Sequence, residues 1–183
     1  SRLGEYNGGI VAAGLAKALQ ADLPKTILAQ AEAAEEMAAA RPITTCSGCP
    51  HRGTYISINQ AIKKAGYRAD EVMVTGDIGC TILGMNPPFH TLWTELSVGA
   101  SIPLAQGYVH AGVKTPVIAT IGDSTFFHGG IPGLINAIQQ NLDLTVIIMD
   151  NGWTAMTGMQ VNPGTEVTYQ QQGCKQIDIV KLV

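Results

Sequence analysis

Residues 117–124 read Val-Ile-Ala-Thr-Ile-Gly-Asp-Ser, and residues 144–151 read Leu-Thr-Val-Ile-Ile-Met-Asp-Asn. Each is a short apolar run that ends in a polar turn. Runs of this length without polar alternation read as strands buried on both faces, the pattern of a parallel sheet covered by helices. Between them Ile131, Leu134, Ile135 and Ile138 recur with helical spacing. A strand–helix–strand crossover makes the two strands parallel and brings their C-terminal ends to one edge of the sheet. Asp123 and Asn151, 28 residues apart, are thereby delivered to the edge where open α/β sheets bind ligands. A carboxylate and an amide oxygen are hard ligands suited to Mg²⁺ or Ca²⁺. The backbone N–H groups of Ser124 and Thr125 can turn toward phosphate oxygens on the same ion. Asp123 alone would read as a helix cap; the Asn after a second strand is what favours a metal. Gly76-Asp77 also follows a strand, but 28 residues further on stands Ala105, so Asp77 lacks a second ligand.

Working outward, Val72-Met73-Val74-Thr75 is a third apolar strand, and Val98, Ile102, Ala105 and Val109 mark a helix rich in small residues. Ile56, Ile58, Ala61, Ile62 and Ala65 predict another helix, closed by Gly66. The stretch before it, residues 46–53, reads as a loop from its Gly and Pro content. Residues 3–20 suit a short amphipathic helix around Ile10, Val11, Leu15 and Leu19. Residues 28–40 suit a helix or helical linker that ends at Arg41-Pro42, because Pro disfavours helix in the residue before it. Periodicity is lost after Asp150 and returns near residue 177, where Asp178 reads as the cap of a helix. The expected fold class is α/β, a mostly parallel sheet with helices on both faces. Residues 1–40 read as a helical linker or the end of a preceding domain, and residues 41–183 as the sheet domain. The missing initiator Met and a final helix that stops soon after its cap suggest a piece of a longer protein, truncated at the C-terminus.

Composition narrows the function. The chain has 183 residues, 46% of them hydrophobic and 14% charged, against a usual charged fraction of ~25%. It is too apolar for a disordered chain. A net charge of −3 with no basic stripe argues against nucleic acid. No apolar run reaches the ~18 residues of a membrane span, so no membrane partner is expected. Nothing resembles a signal peptide, and four cysteines in a domain of this size are no secreted disulfide scaffold. A cytoplasmic location is expected. The 21 glycines cluster in turns at 48–53, 76–84, 122–133 and 152–164, where backbone would approach a cofactor.

The pair Gly122-Asp123-Ser124 and Asn151 resembles the diphosphate-anchoring motif of thiamine diphosphate enzymes, with Ser124 where a third Gly is usual. A longer resemblance covers residues 40–165. Cys-Ser-Gly-Cys-Pro-His-Arg-Gly (46–53), Thr-Gly-Asp-Ile-Gly-Cys (75–80), Gly-Ala-Ser-Ile (99–102), Ile-Gly-Asp-Ser-Thr-Phe-Phe-His (121–128) and Thr-Ala-Met-Thr-Gly (154–158) occur in one order. Together they resemble the thiamine-diphosphate-binding part of the alpha subunit of indolepyruvate ferredoxin oxidoreductases, within the 2-oxoacid:ferredoxin oxidoreductase family. The resemblance implies a PP-module fold and a diphosphate- and Mg²⁺-holding half-site. The implied metal ligands are Asp123, Asn151 and the backbone carbonyl of Trp153. Gly122, Ser124, Thr125 and Cys80 would line the cofactor, with Thr157 and Gly158 closing over the diphosphate and Gln160 in the same loop. The implied activity is oxidative decarboxylation of arylpyruvates to acyl-CoA, with ferredoxin as electron acceptor. The implied partners are a pyrimidine-binding module and an iron–sulfur domain of the same subunit, a beta subunit, ferredoxin and coenzyme A. This half-site is expected to be inactive alone.

Three readings of the cysteines stand side by side. Cys46, Cys49 and Cys80 could hold a [4Fe–4S] cluster, with the fourth ligand at Cys174 or outside the chain. The loop could instead only shape the cofactor pocket, or Cys46, Cys49, His51 and Cys80 could bind Zn²⁺. Cys174 by itself reads as a buried small hydrophobe. His51 and His128 adjoin the motif loops; either could hold a substrate carboxylate, relay a proton or be structural. Phe126 and Phe127 read as core. Two rival functions remain: a non-oxidative thiamine-diphosphate decarboxylase or synthase, against which the Cys-x-x-Cys-Pro-His motif argues, and a catalytically silent metal-binding or assembly module.

Overall fold

The computed structural model describes residues 8–37 and 43–183, and the chain divides into two compact units, residues 1–42 and 43–183. In the first unit, α1 (Gly8–Leu19) and α2 (Lys25–Met37) pack on each other. The expected helices at 3–20 and 28–40 are both present, with ends that in part lie outside the described residues. No residue of α1 is buried, and Leu15 and Leu19 face solvent.

The second unit is built on a parallel sheet of β1 (Met73–Thr75), β2 (Val117–Gly122) and β3 (Thr145–Met149), in the order β1-β2-β3. Met73 pairs with Val117, and Ile118 through Gly122 pair with Thr145 through Met149. Helices cover both faces, and the side-chain alternation of the strands assigns them. Val117, Ala119 and Ile121 point into a core with Ile102 and Ala105 of α4 (Ser101–His110), Phe126 and Ile179. Val72, Val74 and Ile118 point the other way, against Ile58 and Ile62 of α3 (His51–Lys64). The predicted α/β architecture is the observed one, and both crossovers, β1–α4–β2 and β2–helix–β3, leave the strand ends on one edge.

Four local expectations are corrected. Pro50 adopts helical backbone and α3 begins at His51, so 51–53 is its first turn rather than loop; Pro is favoured at a helix start because its missing N–H has no intrahelical partner there. On α3 it is Tyr55, not Ile56, that enters the core: His51, Tyr55, Ile58 and Ile62 are buried, while Ile56 is 48% exposed. Val98 lies outside α4 and is exposed. The glycine-rich stretch after β2 is helical rather than a turn: α5 (Asp123–Thr125) continues through a π-helical turn (Phe126–Gly130) into α6 (Ile131–Gln139). The π turn is marked by the Ile131 N–H donating to the Phe126 carbonyl, and such bulges are frequent at functional sites. Here the glycines serve packing. Gly99 has φ +83°, and a Cβ there would lie 3.1 Å from the Gly129 carbonyl oxygen; the positive φ and the close approach of the loop before α4 to the π turn both favour glycine at 99.

Past β3 the chain returns to helix only at α7 (Ile179–Leu182), where the Asp178 side chain accepts from the Val180 N–H, as its cap position predicts. No described helix is long and apolar enough to cross a membrane.

Candidate functional site

The three strands run out at one edge into Gly76-Asp77, Gly122-Asp123 and Asp150-Asn151. The first acidic residue is structural. Asp77 is fully buried; its Oδ1 accepts from the N–H groups of Ile78 and Gly99, each at 2.9 Å, and its Oδ2 from the Ser101 N–H at 2.9 Å. It ties the loop before α4 to the end of β1, and both oxygens are consumed in doing so.

Asp123 is different. It is 2% exposed and opens the helix after β2. Its Oδ2 accepts from Asn162 Nδ2 at 2.9 Å, and Oδ1 has no hydrogen-bond partner among the described residues. It lines a cavity of about 330 Å³. The same cavity is lined by Gly122, Ser124, Thr125, Cys80, His51, His128, Asn151, Trp153 and Thr157, so the structure gathers these predicted residues around one space. Gly158, Cys46 and Cys49 are not among its lining residues. Gly158 sits within the loop closed by Thr154 and Gln160, at φ +117°.

The loop after β3 is held by short local bonds. Asn151 is exposed, and its Oδ1 accepts from the Trp153 N–H at 2.9 Å. That leaves the second lone pair of the amide oxygen open. Thr154 pairs antiparallel with Gln160, and Thr157 Oγ1 donates to Gln160 Oε1 at 2.6 Å. Ser124 Oγ lies 2.6 Å from Thr154 Oγ1 and joins this loop to the helix start. The departure from a third Gly is therefore accommodated: the Asp123–Thr125 segment is ordinary helix, and the hydroxyl has a partner. His128 Nδ1 lies 2.7 Å from the Ser124 carbonyl. A carbonyl only accepts, so Nδ1 carries the proton and Nε2 is left as an acceptor.

His51 is buried, which pushes its imidazole pKa below 6.5; the negative charge of Asp123 acts in the opposite direction. Burial raises the Cys80 thiol, with Cys49 and then Cys46 adding to the effect. Among the described residues no three His, Cys, Asp or Glu side chains are disposed to hold a metal ion. Cys46 is exposed in the turn before α3, and Cys80 starts a short 3-10 helix, Cys80–Met85. Cys174 is exposed rather than buried, with its thiol 3.6 Å from the Thr165 carbonyl. It sits in an extended stretch outside the packed cores. Phe126 is core as expected, and Phe127 packs against it.

Tyr55 supports the Cys80 side of the site. It is fully buried, and its hydroxyl donates to the Cys80 carbonyl at 2.8 Å and lies 3.3 Å from that of Thr81. Desolvation raises its pKa well above 10, with Cys49 and Cys80 adding to the shift. Tyr55→Phe is expected to cost about 1–2 kcal/mol, because a buried carbonyl loses its donor. A raised folded-state pKa means that the tyrosine's contribution is complete below about pH 10 and is lost as pH rises above it. Urea midpoints near pH ~8 and pH ~11 should therefore fall steeply in the wild type and less in Tyr55→Phe; equal slopes would count against the assignment.

Asn162, Asp77 and Thr154 escaped the sequence reading as site residues. Asn162 stands in Asn-Pro-Gly-Thr (162–165), whose Pro and Gly signal a turn, but nothing in that signal points to Asp123.

Residues 77–183 match the family described as thiamine pyrophosphate enzyme, C-terminal TPP binding domain. The indolepyruvate oxidoreductase subunit IorA of Archaeoglobus fulgidus is 39% identical over 164 residues, 88% of this chain and 26% of that protein. The IorA subunit of Methanothermobacter marburgensis is 42% identical over 127 residues, 69% of this chain and 20% of that protein. The chain thus spans about a quarter or less of the length of these relatives. In structure it resembles a 2-oxoglutarate:ferredoxin oxidoreductase from Magnetococcus marinus, with TM-score 0.65 and 23% identity, covering 76% of this chain and 50% of that one. This last likeness is one of fold.

Proposed function

This chain belongs to the family of thiamine pyrophosphate enzyme C-terminal TPP binding domains, and from that premise we propose that residues 43–183 anchor the diphosphate of thiamine diphosphate through Mg²⁺ in a 2-oxoacid:ferredoxin oxidoreductase. The observation that carries the reading is Asp123, a buried carboxylate at a helix start whose Oδ1 has no hydrogen-bond partner among the described residues, beside a largely apolar cavity shared with Asn151. A buried charge of this kind is costly unless it is paired or coordinates a cation. The donor set of one carboxylate, one amide oxygen and backbone carbonyls is the hard oxygen chemistry that Mg²⁺ takes.

In this reading Asp123, Asn151 and the Trp153 carbonyl hold the cation. The N–H groups of Ser124 and Thr125 face the diphosphate oxygens, and Thr157, with Gly158 behind it, closes the loop over them. Gly122 and Cys80 form the floor and wall of the cavity. When bound, thiamine diphosphate supplies the electron sink for cleaving the bond between the keto carbon and the carboxylate of a 2-oxoacid. The chain's own part is to orient that cofactor and to place His51 and His128 beside it. His128, with Nε2 open, can accept a proton. His51, buried and biased toward the neutral form, can hold the substrate end of the cavity. Arylpyruvates are the proposed substrates, following the relatives' name. Coenzyme A, ferredoxin, a beta subunit, a pyrimidine-binding module and an iron–sulfur domain are the proposed partners. The helical pair before residue 43 is read as a linker or the end of a preceding domain. Cys49 and Cys46 lie close enough to Cys80 to raise its thiol pKa, and the loop that carries them is proposed to shape the cofactor pocket, with a [4Fe–4S] cluster or Zn²⁺ at Cys46, Cys49 and Cys80 as the alternative reading.

The test is a calorimetric titration of thiamine diphosphate into the 183-residue chain, with Mg²⁺ and then with excess EDTA. Saturable binding that EDTA abolishes is expected. Binding that is indifferent to EDTA would remove the cation from the reading, and no binding in either condition would overturn it for this chain.

A further inference from the structure

The Asn-Pro-Gly-Thr turn is unusually well determined for a segment outside regular structure. The Asn162 carbonyl accepts from the Thr165 N–H at 2.9 Å and from Thr165 Oγ1 at 2.7 Å. Asn162 Oδ1 accepts from the Gly164 N–H at 2.7 Å. The Pro163 carbonyl accepts from the Ile177 N–H at 2.9 Å, and the Gly164 carbonyl from Gln176 Nε2 at 2.7 Å. A Cβ on Gly164 would lie 3.1 Å from Asn162 Oδ1 and 3.2 Å from the Phe127 ring, so a larger residue would push on both. Three of these bonds fix Asn162 itself and two tie the turn to residues 176 and 177; Asn162 is 7% exposed and has its amide N–H aimed at Asp123 Oδ2. The turn thereby delivers a buried amide donor to one oxygen of the Asp123 carboxylate.

We infer that Asn162 is a positioning and specificity-determining residue for the cation site: by holding one lone pair of Oδ2 it fixes the Asp123 carboxylate and leaves Oδ1, with both lone pairs open, as the favoured ligand. The consequence is selectivity. Mg²⁺ takes single carboxylate oxygens in a small octahedral shell, whereas Ca²⁺ takes more oxygens and accepts a carboxylate through both at once. A carboxylate with one oxygen hydrogen-bonded and its plane fixed is biased toward binding through the other oxygen alone. The Asn162–Asp123 contact therefore selects the smaller ion, and the turn that builds it lies 39 residues along the chain from the ligand it restrains. This inference rests on the proposed cation site, and the experiment separates the two.

Mg²⁺ and Ca²⁺ are each titrated into the 183-residue chain in the presence of thiamine diphosphate, using wild type, Asp123→Ala, Asn162→Ala and Asn162→Ser. Ser is included because its hydroxyl can still accept from the N–H two residues on and so keep the turn, while it is too short to reach Asp123. Asp123→Ala is expected to lose both ions. In the Asn162 variants the ratio of Mg²⁺ to Ca²⁺ affinity is expected to shift toward Ca²⁺ by about tenfold, the low end of the range for outer-sphere changes. General loosening of the site would weaken both ions alike and leave the ratio unmoved. An unchanged ratio in a folded Asn162 variant that still requires Asp123 overturns the inference and leaves the cation site standing. Failure of the wild type to bind either ion overturns the site and the inference with it.

Discussion

Asp77→Ala should cost the 43–183 unit most of its stability. The carboxylate of Asp77 accepts three backbone N–H bonds, and two of the donors, Gly99 and Ser101, lie in buried surroundings. Hydrogen bonds to a charged group are worth about 1.5–3 kcal/mol each, and a buried donor left without a partner costs about 1–3 kcal/mol. The expected loss is thus on the order of 4–8 kcal/mol, against a total of about 5–15 kcal/mol for a typical domain. Alanine also leaves no side-chain oxygen to organise the start of α4, whose Ser101 and Ile102 are fully buried. Asp77→Asn keeps the shape but turns an N–H₂ toward a backbone N–H, so it should lose part of the same amount. Urea denaturation of the 183-residue chain measures both. A loss below about 1 kcal/mol for the alanine variant would show that water or neighbouring oxygens replace the carboxylate.

Asp123→Asn should do the reverse, sparing the fold and removing the function. The substitution keeps an oxygen to accept from Asn162 and deletes a buried negative charge that has one side-chain partner. Without cations the variant is therefore expected to melt at or above the wild-type temperature, since removing a buried charge with a single neutral partner relieves desolvation. With Mg²⁺ and thiamine diphosphate the order should invert, because only the wild type gains stability from binding. The affinity for Mg²⁺ should fall by more than the ~10–100-fold typical of an outer-sphere loss. A variant that keeps both the affinity and the ligand-induced rise in melting temperature would remove Asp123 from the site. The contrast between Asp77 and Asp123 is informative because both follow a strand and a glycine at the same edge of the sheet.

Much of this arrangement was legible from residues alone. The apolar runs at 117–121 and 144–149 are strands, and their polar ends lie together, because backbone pairing and crossover geometry leave few alternatives. Gly66 and Asp178 end and begin helices where local chemistry requires it. The loop expected over 46–53 holds for 46–50 and fails for 51–53, because Gly and Pro carry the same letters at a helix start as in a turn. The stretch after β2 was mistaken for the same reason: its glycines answer to the close approach of Gly99 and Gly129, a contact between segments 30 residues apart. Cys174 was misjudged because cysteine's usual burial is an average, and its stretch of chain lies outside the packed cores.

What the sequence by itself determined is the parallel α/β order and the delivery of Asp123 and Asn151 to one edge, together with the family that this pattern and its motifs resemble. These follow from period, turn chemistry and the handedness of crossovers, all of which act over short stretches of chain. The spacing to Asn151 already favours Asp123 over Asp77; only the tertiary structure decided how the oxygens of each carboxylate are used. Asp77 spends both oxygens on N–H groups 1, 22 and 24 residues ahead, whereas Asp123 spends one on an amide 39 residues ahead and keeps the other for the cavity. No local signal foretells that use, because a carboxylate's availability depends on which distant donors the folded chain carries to it.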